Sequence, residues 1–251
     1  MHELFLLHGR SSYIFPIVSA FAVLITLPPF NLWLLILVAL VPMYVFIFQE
    51  KNVRKFFVGN LLFGLIFSGF LSFMVFSSFT WIPEAHLFSN IVKLFGIPVV
   101  LFISVAIMLA AYLFKVFMPQ TPVGRAVLFS VFFAVVEWVI SNMLVGFNYG
   151  SFAYAASQIP ALRFLASIGG TSLVTFAVAF GNAAFAETLW FLFETKKRNF
   201  ALLTPLCIFG AIIGTSSFYQ YILSAAPAAA SSSVSVAVIQ DSTRKKGEAF
   251  G

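Results

Sequence analysis

The sequence predicts an all-α polytopic membrane bundle of about seven transmembrane helices, followed by a short strand near its end. Hydrophobic residues make up 61% of the chain and charged residues only 9%, whereas globular proteins carry about 25% charged residues. The apolar residues also fall into separate runs, and a helix that crosses a bilayer needs roughly 20 of them. The chain is therefore predicted to be an integral membrane protein.

Seven apolar runs qualify as spans. The Pro28, Pro29 pair separates the first two, because consecutive prolines remove two backbone donors and force an extended turn. A single re-entrant element in place of these two spans is the alternative. No small-residue cleavage site follows the first run, so it is interpreted as a retained span rather than a signal peptide. The predicted spans are 13–27, 32–48, 57–79, 97–117, 126–143, 168–193 and 200–221.

The basic residues predict the orientation. If the N-terminus is cytoplasmic, nine Lys and Arg residues fall in inner segments and only Lys93 and Arg163 in outer loops. This asymmetry is typical of cytoplasmic loops, and seven spans then place the C-terminal tail outside. The inner residues are Arg10, Lys51, Arg54, Lys55, Lys115, Arg125, Lys196, Lys197 and Arg198.

Charge and cysteine content exclude several classes of function. The net charge of +6 is accounted for by loop residues that fix orientation, so nucleic acid is not an expected partner. One cysteine, Cys207, cannot form an internal disulfide, and His2, His8 and His86 are scattered. Neither a metal site nor a cofactor is predicted.

Two acidic residues lie within predicted spans. Glu137 is well inside the fifth span, where an ionised carboxylate costs about 2.5 to 3.5 kcal/mol. It is therefore either a functional residue or a structural hydrogen-bond partner of a neighbouring helix, and both interpretations stay open. Glu187 lies near the end of its span and close to Lys196 and Lys197, so it is expected to reach the interface.

The segment 146–170 is aromatic and rich in glycine, and Pro160 interrupts it. This pattern favours an outer segment at headgroup depth. Its aromatic residues line either a lipid-access groove or an ordinary aromatic belt; they are Phe147, Tyr149, Phe152 and Tyr154. The Gly169, Gly170 pair is interpreted as a point of close helix approach. Cys207, between Leu206 and Ile208, is predicted to be buried and inert.

The last residues differ in character from the spans. Residues 1–223 are predicted to form the helical membrane domain, and the Ala/Ser/Pro-rich stretch 224–233 a flexible linker. Val234, Val236 and Val238 then alternate with smaller or polar neighbours, a period of two that indicates a buried strand. The segment 234–251 is therefore expected to begin a soluble domain.

Several motifs resemble apolipoprotein N-acyltransferases, bacterial membrane enzymes. PPFNLWLLILVALVP at 28–42 is similar to the opening of that family. Glu137 and Trp138, followed by Gly146, Phe147 and further aromatics, are similar to its fifth span and the loop after it. LASIGGTSLVTFAVAFGNA at 165–183 resembles the next helix, and VSVAVIQD resembles the first strand of the nitrilase-like domain that follows in the family. Ile140 and Asn148 depart from the family pattern, which often has Arg and Pro there.

The resemblance implies an activity and a location. The family transfers an acyl chain from a phospholipid to the N-terminal diacylglyceryl cysteine of an apolipoprotein, without a cofactor, in the bacterial cytoplasmic (inner) membrane. A Glu, a Lys and a Cys of the nitrilase-like (carbon-nitrogen hydrolase) domain act through a thioester. No position here matches these three, so 234–251 is expected to be an incomplete start of that domain and the chain inactive alone.

The expected role is therefore the membrane part of such an enzyme, as a fragment, an early-terminated product or half of a split enzyme with a separate nitrilase-like partner. Its N-terminus would be cytoplasmic and its C-terminus periplasmic. A non-enzymatic lipid- or partner-binding protein, or a small transporter that uses Glu137 as coupling site, is the alternative. Candidates for the lipid or substrate groove are Glu137, Trp138, Phe147, Tyr149 and Tyr154.

Overall fold

The computed structural model describes residues 12–78, 86–143, 150–193 and 203–225, and their regular secondary structure is helical throughout. The predicted strand at Val234 and the linker before it lie outside these residues and stay predictions. The helices are α1 Ile14–Thr26, a 3-10 helix Trp33–Leu37, α2 Val41–Gln49, α3 Val53–Ser78, α4 His86–Val116, α5 Pro122–Met143, α6 Phe152–Ala156, α7 Pro160–Phe193 and α8 Thr204–Ala225.

Four helices are long and apolar enough to cross a bilayer within the described part of the chain. They contain the segments Val53–Met74, Gly96–Val116, Pro122–Asn142 and Pro160–Trp190. Ile14–Thr26 and Trp33–Gln49 are shorter apolar segments. The all-helical membrane fold is thus confirmed, four of the predicted spans have the length and composition of crossing helices, and the count of seven stays a prediction.

The second apolar run connects the two ends of the bundle. At one end, Trp33 borders the same cleft as Leu71, which is near the C-terminus of α3. At the other end, Lys115 on α4 donates hydrogen bonds of 2.9 and 3.0 Å to the carbonyl oxygens of Ile47 and Phe48. These carbonyls belong to the last turn of α2, where a cation is favourable.

The same run is broken between its 3-10 helix and α2. A break in a membrane protein leaves backbone groups that water cannot reach, so protein groups must bind them. The Asn182 side chain on α7 donates to the Ile36 carbonyl oxygen at 2.8 Å and accepts from the Leu40 N–H at 2.8 Å. Ser19 Oγ on α1 donates to the Ala39 carbonyl oxygen at 2.6 Å. Both side chains are fully buried.

Aromatic rings form a continuous column through the centre of the bundle. Neighbouring ring centroids are 4.8 to 6.1 Å apart, within or near the range of favourable aromatic pairs. The column joins α2, α5, α6 and α3, and it connects Tyr44 with Phe152, which borders the cavity next to the cleft. Its rings are, in order, Tyr44, Phe129, Phe133, Phe152, Phe67 and Phe63.

Helix α7 is kinked at the glycine pair for which the sequence predicted close helix approach. Gly169 and Gly170 have non-helical backbone angles, and Gly170 has φ of 65°, a region that a residue with a Cβ rarely adopts. The interpretation of this pair as a point of close helix approach is wrong. A Cβ at Gly170 would meet nothing within 4 Å, and one at Gly169 would meet Leu173 of the same helix. The glycines instead turn the chain between two helical segments.

Candidate functional site

A cleft of about 350 Å³ opens where the turn after α1, the end of α3 and the start of α6 meet. This volume falls within the range of small-ligand pockets, about 300 to 1,000 Å³. The turn contains the cis Pro28-Pro29 bond and Asn31, whose φ is 54°. The cleft is lined by Thr26, Leu27, Pro28, Asn31, Trp33, Leu71, Met74, Gly150, Tyr154, Ala155, Ser157 and Gln158.

A smaller and mainly apolar cavity of about 50 Å³ lies next to the cleft, between α3, α4, α5 and α6. Glu137 borders it and is only 9% exposed. Ser151 Oγ donates to Glu137 Oε1 at 2.6 Å, and Thr175 Oγ1 donates to Oε2. Because both carboxylate oxygens have hydroxyl donors, Glu137 joins α5 to α6 and α7. The structure thus shows the hydrogen bonding that the structural interpretation of Glu137 expects.

Gly150 and Leu71 separate the two cavities, since both residues line each of them. Gly150 has φ of 91°, and a Cβ at this position would overlap the Leu71 side chain. Glycine is therefore required twice, for the backbone angle and for the close approach of the backbone to Leu71. This thin wall places the Glu137 cavity directly behind the cleft.

The structure distributes the predicted groove residues unevenly. Tyr154 lines the cleft and is 55% exposed, and Glu137 lines the cavity behind it. Trp138 follows Glu137 in sequence but is 57% exposed and lines neither space. Phe147 and Tyr149 lie outside the described residues. Glu137 and Tyr154 are thus on adjacent cavities, and the groove assignment of all five residues stays a prediction.

The opposite end of the bundle holds a buried ion pair. The Arg125 guanidinium makes two contacts of 2.7 Å with the Glu187 carboxylate, through Nε and Nη2. The Tyr44 hydroxyl donates to the same carboxylate, and the Arg125 guanidinium lies 5.1 Å from the Phe48 ring centroid. Glu187 is 3% exposed, so the expectation that it reaches the interface is wrong. Bidentate pairing with a guanidinium holds it inside the bundle instead.

Cys207 is exposed on α8, so the prediction that it is buried is wrong. Its helix presents this side chain on the outer surface of the bundle. No group of three His, Cys, Asp or Glu residues that could hold a metal ion is found among the described residues.

Sequence reasoning did not identify three residues that organise these sites. Asn182 is a polar residue inside an apolar span, and this alone signals a specific partner. Arg125 lay in a predicted loop, and the residues around it in the sequence gave no indication that it pairs with Glu187. Asn31 follows a double proline, which indicates a turn but does not show that Gln158, far along the chain, lines the same cleft.

Comparison with known families identifies the domain that contains the cleft. A family model described as the apolipoprotein N-acyltransferase N-terminal domain matches residues 19–184. The match covers more than half of the chain and includes the cleft, Glu137 and Asn182. A comparison with curated proteins gives no match.

Proposed function

Since the chain belongs to the apolipoprotein N-acyltransferase N-terminal domain family, we propose that it is the membrane part of an enzyme that matures lipoproteins. The enzyme takes an acyl chain from a phospholipid and gives it to the N-terminal diacylglyceryl cysteine of an apolipoprotein. This chain supplies the membrane anchor and the groove in which the lipid substrates are held.

The cleft beside Tyr154 is the observation that carries this proposal. Its walls combine apolar side chains, such as Leu27 and Leu71, with hydroxyl and amide groups, such as Tyr154 and Gln158. A lipid-linked substrate has the same combination of an apolar tail and a polar head, which ligand sites match with a few placed polar groups. The predicted orientation puts the cleft on the periplasmic side of the bacterial inner membrane, where lipoproteins are exposed.

The transfer step itself is assigned to a nitrilase-like domain rather than to this membrane part. A thioester route needs an activated thiol with a base and an oxyanion donor nearby. Cys207 is the one cysteine of the 251 residues, and it is exposed on α8. The nearest chemistry in the bundle, around Glu137, contains hydroxyls but no thiol. We therefore assign the cysteine of a covalent acyl-enzyme to the nitrilase-like domain.

An assay of the purified 251-residue chain tests the proposal. The chain in detergent is mixed with phospholipid and a synthetic diacylglyceryl-cysteine peptide, and mass spectrometry follows the peptide. We expect no gain of an acyl chain, and a photoactivatable version of either lipid should crosslink to the cleft. Triacylated product formed by the unaltered chain would refute the assignment of catalysis to another domain, and Cys207→Ser would then show whether Cys207 takes part. Crosslinks that avoid the cleft would refute the groove.

A further inference from the structure

Two residues with side-chain amides line the cleft from different parts of the chain. Asn31 lies in the turn after α1, and Gln158 lies just after α6; both line the cleft and are exposed. Within the described residues, neither amide has a side-chain hydrogen bond, and the hydroxyl of Tyr154, which also lines the cleft, has none. Each amide offers an acceptor oxygen and two N–H donors. The cleft therefore presents donors and acceptors together.

The cleft is also uncharged. None of its lining residues in the described structure is Lys, Arg, Asp or Glu. Proteins bind phosphate groups mainly with Arg or Lys, and this lining provides no cation for the phosphodiester of a phospholipid. It favours a neutral group that both donates and accepts.

A peptide group has this chemistry, because each backbone unit carries one N–H donor and one C=O acceptor without charge. A carboxamide side chain can bind both at once. The acyl donor of the proposed reaction is a phospholipid, whereas its acceptor carries a peptide. The pairing of Asn31 and Gln158 across one cleft therefore distinguishes the two substrates.

We propose that this cleft binds the uncharged peptide segment next to the lipidated cysteine of the acceptor, through the amides of Asn31 and Gln158. The assignment rests on the proposed function, since that function supplies the acceptor. The acyl chains of the same substrate would lie against the apolar wall at Leu27 and Leu71. The two amides would thus recognise the acceptor by its peptide, which the phospholipid donor lacks.

Binding measurements on the full chain in phosphatidylcholine nanodiscs test this assignment. The probes are a fluorescent diacylglyceryl-cysteine tetrapeptide amide with neutral side chains, and a fluorescent phosphatidylglycerol with the same acyl chains. Asn31→Gly removes the amide but tolerates the positive φ, and Gln158→Leu removes the other amide. We expect each variant to weaken lipopeptide binding by about three- to tenfold, as for the loss of one or two hydrogen bonds, and to leave the phosphatidylglycerol unchanged.

Gln220→Leu on α8 is the matched control, because it makes the same change of side chain outside the cleft; it should bind both probes as the unaltered chain does. If Asn31→Gly does not fold, Gln158→Leu alone carries the test. Lipopeptide binding that both variants leave unchanged, or phosphatidylglycerol binding that they weaken, would overturn the inference and leave the proposed function standing. If the unaltered chain binds neither probe, the proposed function fails as well.

Discussion

The two buried carboxylates, Glu137 and Glu187, are held by different kinds of partner. Hydroxyl groups of Ser151 and Thr175 surround Glu137, whereas the Arg125 guanidinium pairs with Glu187. Neutral hydroxyl donors can bind a carboxyl group without a counter-charge. In an ion pair, each charged group depends on the other for its compensation. Removing one partner of a buried pair leaves the other charge uncompensated, so Glu187 is the more sensitive of the two.

Glu187→Leu is therefore expected to destabilise the protein by about 3 to 5 kcal/mol. Arg125→Leu/Glu187→Leu should be less destabilised than the sum of the two single variants, because the double variant leaves no unpaired charge inside the bundle. Unfolding free energies of all four proteins in mixed detergent micelles measure this coupling. Additive effects would show that the 2.7 Å contacts contribute little.

Gly150→Ala tests the wall between the two cavities. The substitution puts a Cβ at a φ of 91° and against Leu71, so we expect a loss of about 1 to 3 kcal/mol of stability. Gly210→Ala is the control, since nothing lies within 4 Å of a Cβ there and alanine favours a helix. The thermal unfolding midpoints of the two variants are compared, and Gly150→Ala should have the lower midpoint. Equal midpoints would contradict the prediction of backbone strain at Gly150.

At the scale of elements, the broken second run depends on a residue from another helix. Asn182 binds backbone groups on both sides of the break, the Ile36 carbonyl and the Leu40 N–H. A continuous helix would need no such partner. The apolar run itself was predictable from its composition, but the break was not, because its backbone partner lies on α7, far away in sequence.

Asn182→Leu should therefore destabilise the protein by about 2 to 4 kcal/mol, since an unsatisfied buried polar group costs about 1 to 3 kcal/mol. The Leu40 amide should also exchange its hydrogen faster than in the unaltered protein. Asn142→Leu is the matched control, because the Asn142 amide is exposed and donates to the Trp138 carbonyl of its own helix. Hydrogen exchange by mass spectrometry reports on both variants, and unchanged protection at 36–40 would contradict this role.

The kink in α7 shows a similar limit of sequence reasoning. Gly169 and Gly170 stood out in the sequence, and their small size suggested packing against a neighbouring helix. Their backbone angles show the other property of glycine, its conformational freedom. A glycine pair in a sequence is compatible with close helix packing and with a backbone kink. Only the atoms around each Cβ position distinguish the two roles.

At the scale of the whole molecule, composition predicted the class of fold and the motifs predicted the family, but contacts between distant segments were beyond reach. The alternation of Lys and Arg predicted which loops share a side of the membrane. The structure is consistent with that grouping: the turn at Asn31 and the segment at Gln158 border one cleft, whereas Lys115 and Phe48 meet at the other end. That Asn31 and Gln158 line the same cleft could be seen only in the folded chain.

Orientation in the membrane is testable with single cysteines in a Cys207→Ser background. Ser157 borders the cleft and Lys51 lies in a predicted inner loop, and both are exposed. We expect Ser157→Cys to react with a membrane-impermeant maleimide in intact bacterial spheroplasts, and Lys51→Cys to react only after permeabilisation. The reverse pattern would place the cleft in the cytoplasm and remove the support for the proposed function.

The aromatic column from Tyr44 to Phe63 has a mechanical consequence. Packed rings resist compression, so a displacement of Phe152 beside the cleft is expected to shift Phe133 and then Phe129. Phe129 packs against Tyr44, whose hydroxyl donates to the Glu187 carboxylate. A ligand that moves Phe152 is therefore expected to disturb the ion pair of Arg125 and Glu187 at the opposite end of the bundle.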